Sequence, residues 1–568
     1  MLPVVAILIL LFAATGVAQT PSPFLGGMWC GSVTPTTATV AVHLNAPGLR
    51  VRLVGSEALT LTSPIFSAAV TTSAATGNAV KMTVQGLKSD TDYYYGVEVG
   101  GVVRPEPESR GRLHTFPLGR SSFKIAFAGD SDFAHADQRA FDAILAERPL
   151  LFVHLGDLHY HDTNSTNIDD YRGNYDAVLS QPNASALYRG VPVAYMWDDH
   201  DFCGNDSYTT AIGRDTARAA YKERVPHYPI GPTGGTIGQA FTVGRVRFIM
   251  TDLRSAAMEP SQRESAAKTR MGTAQKAWFK QELLTARDSG FPLILWLCPD
   301  PWIARAQVGD DTWGGHATER TEIANFIRDN RISNVTLLSA DMHALAFDDG
   351  TNSDYATGGG APLIVLHAAA LTAEGSVKGG PYTGGPLPGS QQYGILEIYD
   401  NGGSSVACRY LGMKVGEGAK LRYIFSSSAA GARDHELVNL STLARITRAD
   451  DVVVSGFVIS GNSTRTVLVR AVGPTLAAFG VTDALPRPQL AVFQGDQLVA
   501  TNEGWAGAAD AASQLTDVFD RAGAFRLLDA GSRDAALVLS LPPAAYTVRV
   551  KSVDGAPGAA LVEVYDLP

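Results

Sequence analysis

Cysteine is scarce: the 568 residues carry four, Cys30, Cys203, Cys298 and Cys408. They are widely scattered and form no C-x-x-C pair, which excludes a domain stapled by a disulfide framework. One disulfide remains open, with no pairing fixed by the spacing. Charge is also thin. Asp, Glu, Lys and Arg make up 18% of the chain and the net charge is −10. A broad basic field is missing, which disfavours binding to nucleic acid or anionic membranes through general electrostatics, and sequence-specific nucleic-acid recognition is not expected. A local positive site is not excluded. Beyond the first residues no long apolar run occurs, so no transmembrane segment is expected in the mature chain. What is present is 45% hydrophobic residues and 57 glycines. That supplies several cores and many tight connections, and it excludes disorder over most of the chain. The length implies about three domains.

The first residues set the compartment. Met1–Ala14 is apolar and uncharged, and Gly16-Val17-Ala18 puts small residues where a signal peptidase would cut before Gln19. Residues 1–18 therefore read as a signal peptide. A membrane anchor is the alternative, but the run is short for a span of about 20 residues. The expectation is an exported protein, secreted, periplasmic or at the cell surface.

Composition divides the remainder into three. Residues 22–117 read as an N-terminal β-sandwich. Thr36–His43 alternates apolar and polar residues, and Leu87 precedes a polar corner and the aromatic strand around Tyr93-Tyr94-Tyr95, a pattern resembling the tyrosine corner of fibronectin-III-like sandwiches. Residues 122–435 alternate strands and helices, which predicts an α/β sandwich. Its expected strands include 123–128, 150–155, 191–197, 246–251, 293–297 and 335–339, with helices over 138–147, 273–286 and 319–330. Residues 436–568 contain one lysine, Lys551, and neither histidine nor cysteine. Short strands separated by turns predict a second, C-terminal β-sandwich without catalytic chemistry.

Chemistry gathers where the central strands end, as it does in open α/β sheets. Five clusters stand there: Gly129-Asp130-Ser131-Asp132; Gly156-Asp157-Leu158-His159-Tyr160-His161; Trp197-Asp198-Asp199-His200-Asp201 running on to Asn205-Asp206; Thr251-Asp252-Leu253-Arg254; and Ala340-Asp341-Met342-His343. Each alone reads as a turn or polar loop. Together they differ, because carboxylates converging on one sheet edge repel and raise each other's pKa unless cations lie between them. Asp oxygens, a His nitrogen and a Tyr phenolate suit Fe, Mn, Zn or Ca. Two metals held by bridging Asp create a hydrolysis site for phosphate esters, with His as proton donor and Arg as a fork for phosphate oxygens. Asp132 is a further candidate ligand. His159 and His161 read either as donors behind a ligand or as polar loop, and His316 as pocket lining or plain loop.

Asp130, Gly156-Asp157-x-x-Tyr160, Asp199-His200-Asp201 and Asp341-x-His343, in that order, resemble the metallophosphoesterase superfamily. Trp197-Asp198-Asp199-His200-Asp201 with Asp252-x-Arg254, and the β-sandwich placed ahead, resemble its PhoD-type alkaline phosphatase branch. The Gly-Asp-x-x-Tyr segment is also similar to purple acid phosphatases. The resemblance spans roughly residues 25–425. It implies Asp130, Asp157, Tyr160, Asp199, Asn205, Asp341 and His343 as metal ligands, Asp157 bridging, with His200 acting on the leaving group and Arg254 on the phosphate. It further implies a metallophosphoesterase sandwich flanked by two β-sandwiches, and hydrolysis of phosphomonoesters or phosphodiesters by a metal-activated hydroxide. Asp199 and Asp341 replace the Asn and His usual in the superfamily, some PhoD proteins carry Cys where Asp130 stands, and Trp296-Leu297-Cys298-Pro299-Asp300 lacks the customary His. Such oxygen-rich replacements favour Fe with Ca, with Mn or Zn as alternatives. The C-terminal region, through Val454–Ile459, Arg470–Leu476 and Gly531–Ala535, resembles a β-rich module of exported bacterial proteins whose partner is unknown. The competing reading is a catalytically inactive surface adhesion or carbohydrate-binding protein.

Overall fold

The computed structural model describes residues 22–232, 234–429, 439–459, 464–506, 509–527 and 531–567. The expected signal peptide lies outside them. Two sheets form the centre. The nine-stranded sheet runs in the order Gly418–Ser428, Ser405–Lys414, Gln392–Tyr399, Phe123–Ala128, Leu151–Leu155, Val193–Met196, Phe24–Gly31, Thr37–Leu44, Ala79–Gln85. The seven-stranded sheet runs Gln239–Val243, Val246–Met250, Leu293–Leu297, Val335–Ser339, Ile364–His367, Ala344–Asp348, Gly384–Pro388. Strand alternation distributes each strand between two cores. Ile125 and Phe127 enter the core shared by both sheets, as do Leu293, Leu295 and Leu297. Ala126 and Ala128 turn instead toward the helices Arg139–Glu147, Ile168–Leu179, Pro182–Gly190 and Arg214–Arg224. Ile294 and Trp296 turn toward Thr273–Asp288 and Ala317–Asp329. Burial on both faces explains why these strands read as unbroken apolar runs. Trp296 is fully buried, and truncating it to Ala would cost about 3–5 kcal/mol.

The expected N-terminal sandwich shares one of its sheets with the centre. Phe24–Gly31 joins Val193–Met196 in parallel at Gly31↔Val193. Val40, Leu53 and Tyr95 belong to the same core as Ile125 and Leu295. The Tyr93 hydroxyl accepts the Lys88 N–H at 3.0 Å, which closes the corner anticipated from the aromatic strand.

The C-terminal region packs two four-stranded sheets, one containing Asn439–Ile446, Gly558–Leu567, Arg465–Val472 and Ala535–Leu541, the other Val453–Ile459, Ala544–Ser552, Pro488–Gln494 and Gln497–Asn502. Ile446, Val469, Leu490, Val548 and Val562 fill the space between. A helix, Ala509–Ala522, was not expected there. All four cysteines are buried and free, so the disulfide left open by the sequence does not form. Among the described residues, no helix is long and apolar enough to cross a membrane.

Candidate metal centre

The carboxyl ends of the central strands are held in unusual backbone. Asp130, Asp157, Asp341 and His343 have φ of 67°, 52°, 56° and 53°. This left-handed region costs an ordinary residue about 1–2 kcal/mol, and Asp and His are among those that tolerate it best. Four such residues beyond the strand ends of the two central sheets mark a site where strain is retained for function. The glycine of Gly156-Asp157 is required for space as well as for its φ of 96°. A Cβ there would lie 2.6 Å from that of Asp198.

These turns bring the ligand candidates together. Asp130, Asp157 and His343 form one group, and Asp157, Asp199 and His200 a second; within each, ligand atoms lie within 4.8 Å of one another. Asp157 belongs to both. Its two oxygens are buried without a hydrogen-bond partner, as are Asp130 Oδ2 and Asp341 Oδ2. An orphaned buried acceptor costs about 1–3 kcal/mol, more when charged. Burial, then Asp199, Asp198 and Asp130, push the Asp157 carboxyl well above the usual range. Burial likewise pushes Asp341 up to about 6, against the pull of Lys378. Burial opposes charge on His343, but Asp130 at 3.1 Å overrides it and raises the imidazole to about 9. His343 Nδ1 is bonded to the Glu374 carbonyl at 2.6 Å, while Nε2 lies 3.0 Å from the Tyr160 hydroxyl. Pinning one ring nitrogen to a carbonyl and turning the other toward the candidate ligands Asp130 and Tyr160 is the arrangement of a metal-ligating histidine. The donor set and the unpartnered oxygens fit metal ions, and the two groups sharing Asp157 fit more than one.

His200 leaves the Asp198–Asp201 turn with Nδ1 held by Asp162 Oδ1 at 2.5 Å. Its ring packs on Tyr160 with centroids 4.1 Å apart. The turn itself is closed by a capping box between Asp198 and Asp201. Asp201 accepts from Leu158 N–H and the Tyr195 hydroxyl, both at 2.7 Å, and therefore builds the turn.

Other residues fall elsewhere. Asn205 is exposed. Its neighbour Asp206 has its N–H on Asp199 Oδ2 at 2.7 Å and shares a third carboxylate group with Asp199 and Asp311. Arg254 is fully enclosed. Its Nε donates to Asp198 at 2.5 Å, Nη2 to Asp300 at 2.9 Å, and Nη1 to both oxygens of Asp311 at 2.9 and 3.0 Å. Asp252 accepts from the Trp197 indole and the Ile237 N–H, each at 3.0 Å, and holds strands together. His159 is buried beside His161, with ring centroids 5.1 Å apart. His316 is buried with Nε2 on the Met258 carbonyl at 2.8 Å. Asp132 is engaged with the Ala134 N–H at 2.9 Å. Sequence reasoning missed Asp162, Asp311 and Lys378. Asp300 and Asp206 lay within quoted segments without being assigned.

The geometry has a counterpart among known proteins. Residues 125–380 match the model of the PhoD-like phosphatase family. The central region resembles PhoD-like phosphatases over those residues. The chain is 24% identical over 316 residues to alkaline phosphatase D of Bacillus subtilis (strain 168), covering 47% of this chain and 53% of the relative. It thus spans about half the length of the curated relative it matches. A solved PhoD structure aligns with TM-score 0.57 at 17% identity, over 72% of this chain and 91% of that one. A purple acid phosphatase from yellow lupin (Lupinus luteus) seeds aligns with TM-score 0.50 at 13% identity, over 71% and 74%. These likenesses show the fold over the part of the chain that they cover.

Proposed function

We propose that this chain is an exported, metal-dependent PhoD-like alkaline phosphatase that hydrolyses phosphomonoesters, phosphodiesters or both. The observation carrying this reading is Asp157, shared by two ligand groups with both oxygens buried and unpartnered. Asp130, Asp157, Tyr160 and His343 would hold one ion, and Asp157 and Asp199 a second, with Asp341 and the Asn205-Asp206 loop alongside. The acid-rich donor set favours Fe with Ca, and Mn or Zn are the alternatives. When bound, the metals supply an activated water and neutralise charge on the phosphoryl group.

The chain's own residues do the rest. Asp162 fixes His200 through Nδ1, which leaves Nε2 to give a proton to the departing ester oxygen. Tyr160 fixes the plane of that imidazole. Arg254 is a positioning residue: it holds Asp198, and with it the turn that presents Asp199 and His200. The C-terminal β-rich region serves as a binding or display module.

Turnover of p-nitrophenyl phosphate and bis-p-nitrophenyl phosphate by purified protein supplied with Fe, Ca, Mn or Zn tests the reading. Activity with at least one metal set, lost in Asp157→Ala, is expected. No turnover with any metal, together with no stoichiometric bound metal, would leave the inactive surface-binding reading in its place.

A further inference from the structure

Lys378 lies across the mouth of the acidic site. It sits between the strands Ile364–His367 and Gly384–Pro388. Its Nζ is 2.5 Å from Asp341 Oδ1, and Asp199 and Asp311 add to the attraction. Its side chain is nonetheless 38% exposed, against 2% for Asp341. The ammonium therefore stands at the boundary between buried carboxylates and solvent. An ammonium carries three N–H bonds, and the bond to Asp341 uses one.

The segment that carries it is tied to the metal-site turns. Thr372 and Ala373 donate to the Asp130 carbonyl at 3.1 and 3.2 Å. The Glu374 carbonyl is bonded to His343 Nδ1, and Ser376 N–H donates to the His343 carbonyl at 3.3 Å. Past the lysine, Gly380 N–H donates to the Ile303 carbonyl at 2.8 Å. A cation on a strap fastened to both ligand turns is placed before any substrate arrives, which lowers the ordering cost of binding. Arg254 cannot take this part, since its guanidinium is buried and committed to Asp198, Asp300 and Asp311.

We propose that Lys378 binds a non-bridging oxygen of the substrate's phosphate group, with Asp341 holding its ammonium in place. This rests on the phosphatase reading above. The test uses the full metal-loaded chain with Lys378→Gln and Lys378→Arg, inorganic phosphate as the calorimetric probe, steady-state kinetics on p-nitrophenyl phosphate, and metal content by mass spectrometry. For Lys378→Gln the expected result is phosphate affinity weakened about ten-fold or more, the scale of a lost charge-assisted hydrogen bond. KM should rise in step while kcat changes less, and the metal content should stay that of the wild type. Lys378→Arg should retain most of the affinity. Unchanged phosphate affinity in Lys378→Gln would overturn the assignment. So would affinity lost together with bound metal, which would mean that the lysine serves only the carboxylates. A wild type that turns over no ester would remove the phosphatase reading, while the phosphate isotherm would still decide for or against Lys378.

Discussion

Two carboxylate clusters lie side by side in this protein and are treated oppositely. Asp198, Asp300 and Asp311 are paired with Arg254 and Arg270 in a buried network. Asp157 keeps both oxygens without a partner, and Asp130 and Asp341 keep one each; Asp198 Oδ2 is the exception on the paired side. The residue type and burial are the same; only the source of compensating charge differs. A buried carboxylate supplied with its own arginine is architecture. A buried carboxylate left without a partner fits a cation from outside. The contrast separates residues that build the site from residues that would operate it.

The sharpest way to break the contrast is to remove one carboxylate from the unpartnered cluster. Asp157→Asn should lower kcat/KM on the order of 10³-fold and reduce bound metal, yet raise the melting temperature of the metal-free protein, because a repelling buried charge is gone. Lower stability of the metal-free variant would refute the view that Asp157 is uncompensated. The opposite perturbation is Arg254→Met. It strands Asp198 and leaves Asp300 and Asp311 to Arg270 alone, and stability should fall by about 3–5 kcal/mol, read from urea unfolding. A variant as stable as the parent would show that the arginine network is not structural.

Proton linkage gives a third test. Burial raises Asp341 to about 6 and Asp201 to about 7, above the unfolded value near 4. Between about pH 4 and 7 these two carboxyls bind more protons in the folded chain than in the unfolded one, so their contribution to metal-free stability should fall as pH rises, while His154, His159, His316 and His367, all lowered to about 3 by burial, contribute the opposite trend. His343, raised to about 9, acts in the same direction as the carboxyls. Metal binding displaces protons and should strengthen as pH rises, so the stabilisation that metal brings should grow across the same window. Melting curves from pH 4 to 8 of the parent and of Asp341→Asn, with and without metal, measure both trends, and a metal-free Asp341→Asn that keeps the parent's pH dependence contradicts them. Smaller still, Asp162→Asn should cost about ten-fold in kcat through the loosened His200, with metal content unchanged. At the bottom of the scale, dithiothreitol should leave the melting temperature where it is, because the four cysteines are free.

What could be read in the chain before folding follows the same division. The strands Phe123–Ala128, Leu151–Leu155 and Leu293–Leu297 are legible because burial on both faces gives short apolar runs, and the acids beyond them stand out against that background. The antiparallel half of the nine-stranded sheet, Gln392–Lys414 and Gly418–Ser428, carries no chemistry at its ends and offered nothing to notice. Lys378 and Asp162 sit in loops without periodicity, and their roles arise from chain segments far apart in sequence. The loop after His200 defeated residue-level assignment for a local reason. Asp206 adopts a φ of 54° with its N–H on Asp199, which brings a carboxylate of this exposed loop to Asp199 and Asp311.

The single parallel bridge at Gly31↔Val193 reaches further than its size suggests. Val193–Met196 delivers Asp198, Asp199 and His200, and one of its flanks is covered by the strand Phe24–Gly31. A chain cut back to begin near residue 118 would lose that bridge and leave Val193–Met196 as a sheet edge, open to pairing with another copy. It would also empty the space that Trp29 fills among Tyr175, Tyr188 and Tyr195. The smallest unit able to fold soluble and keep its chemistry therefore includes the leading strands, whatever else they touch.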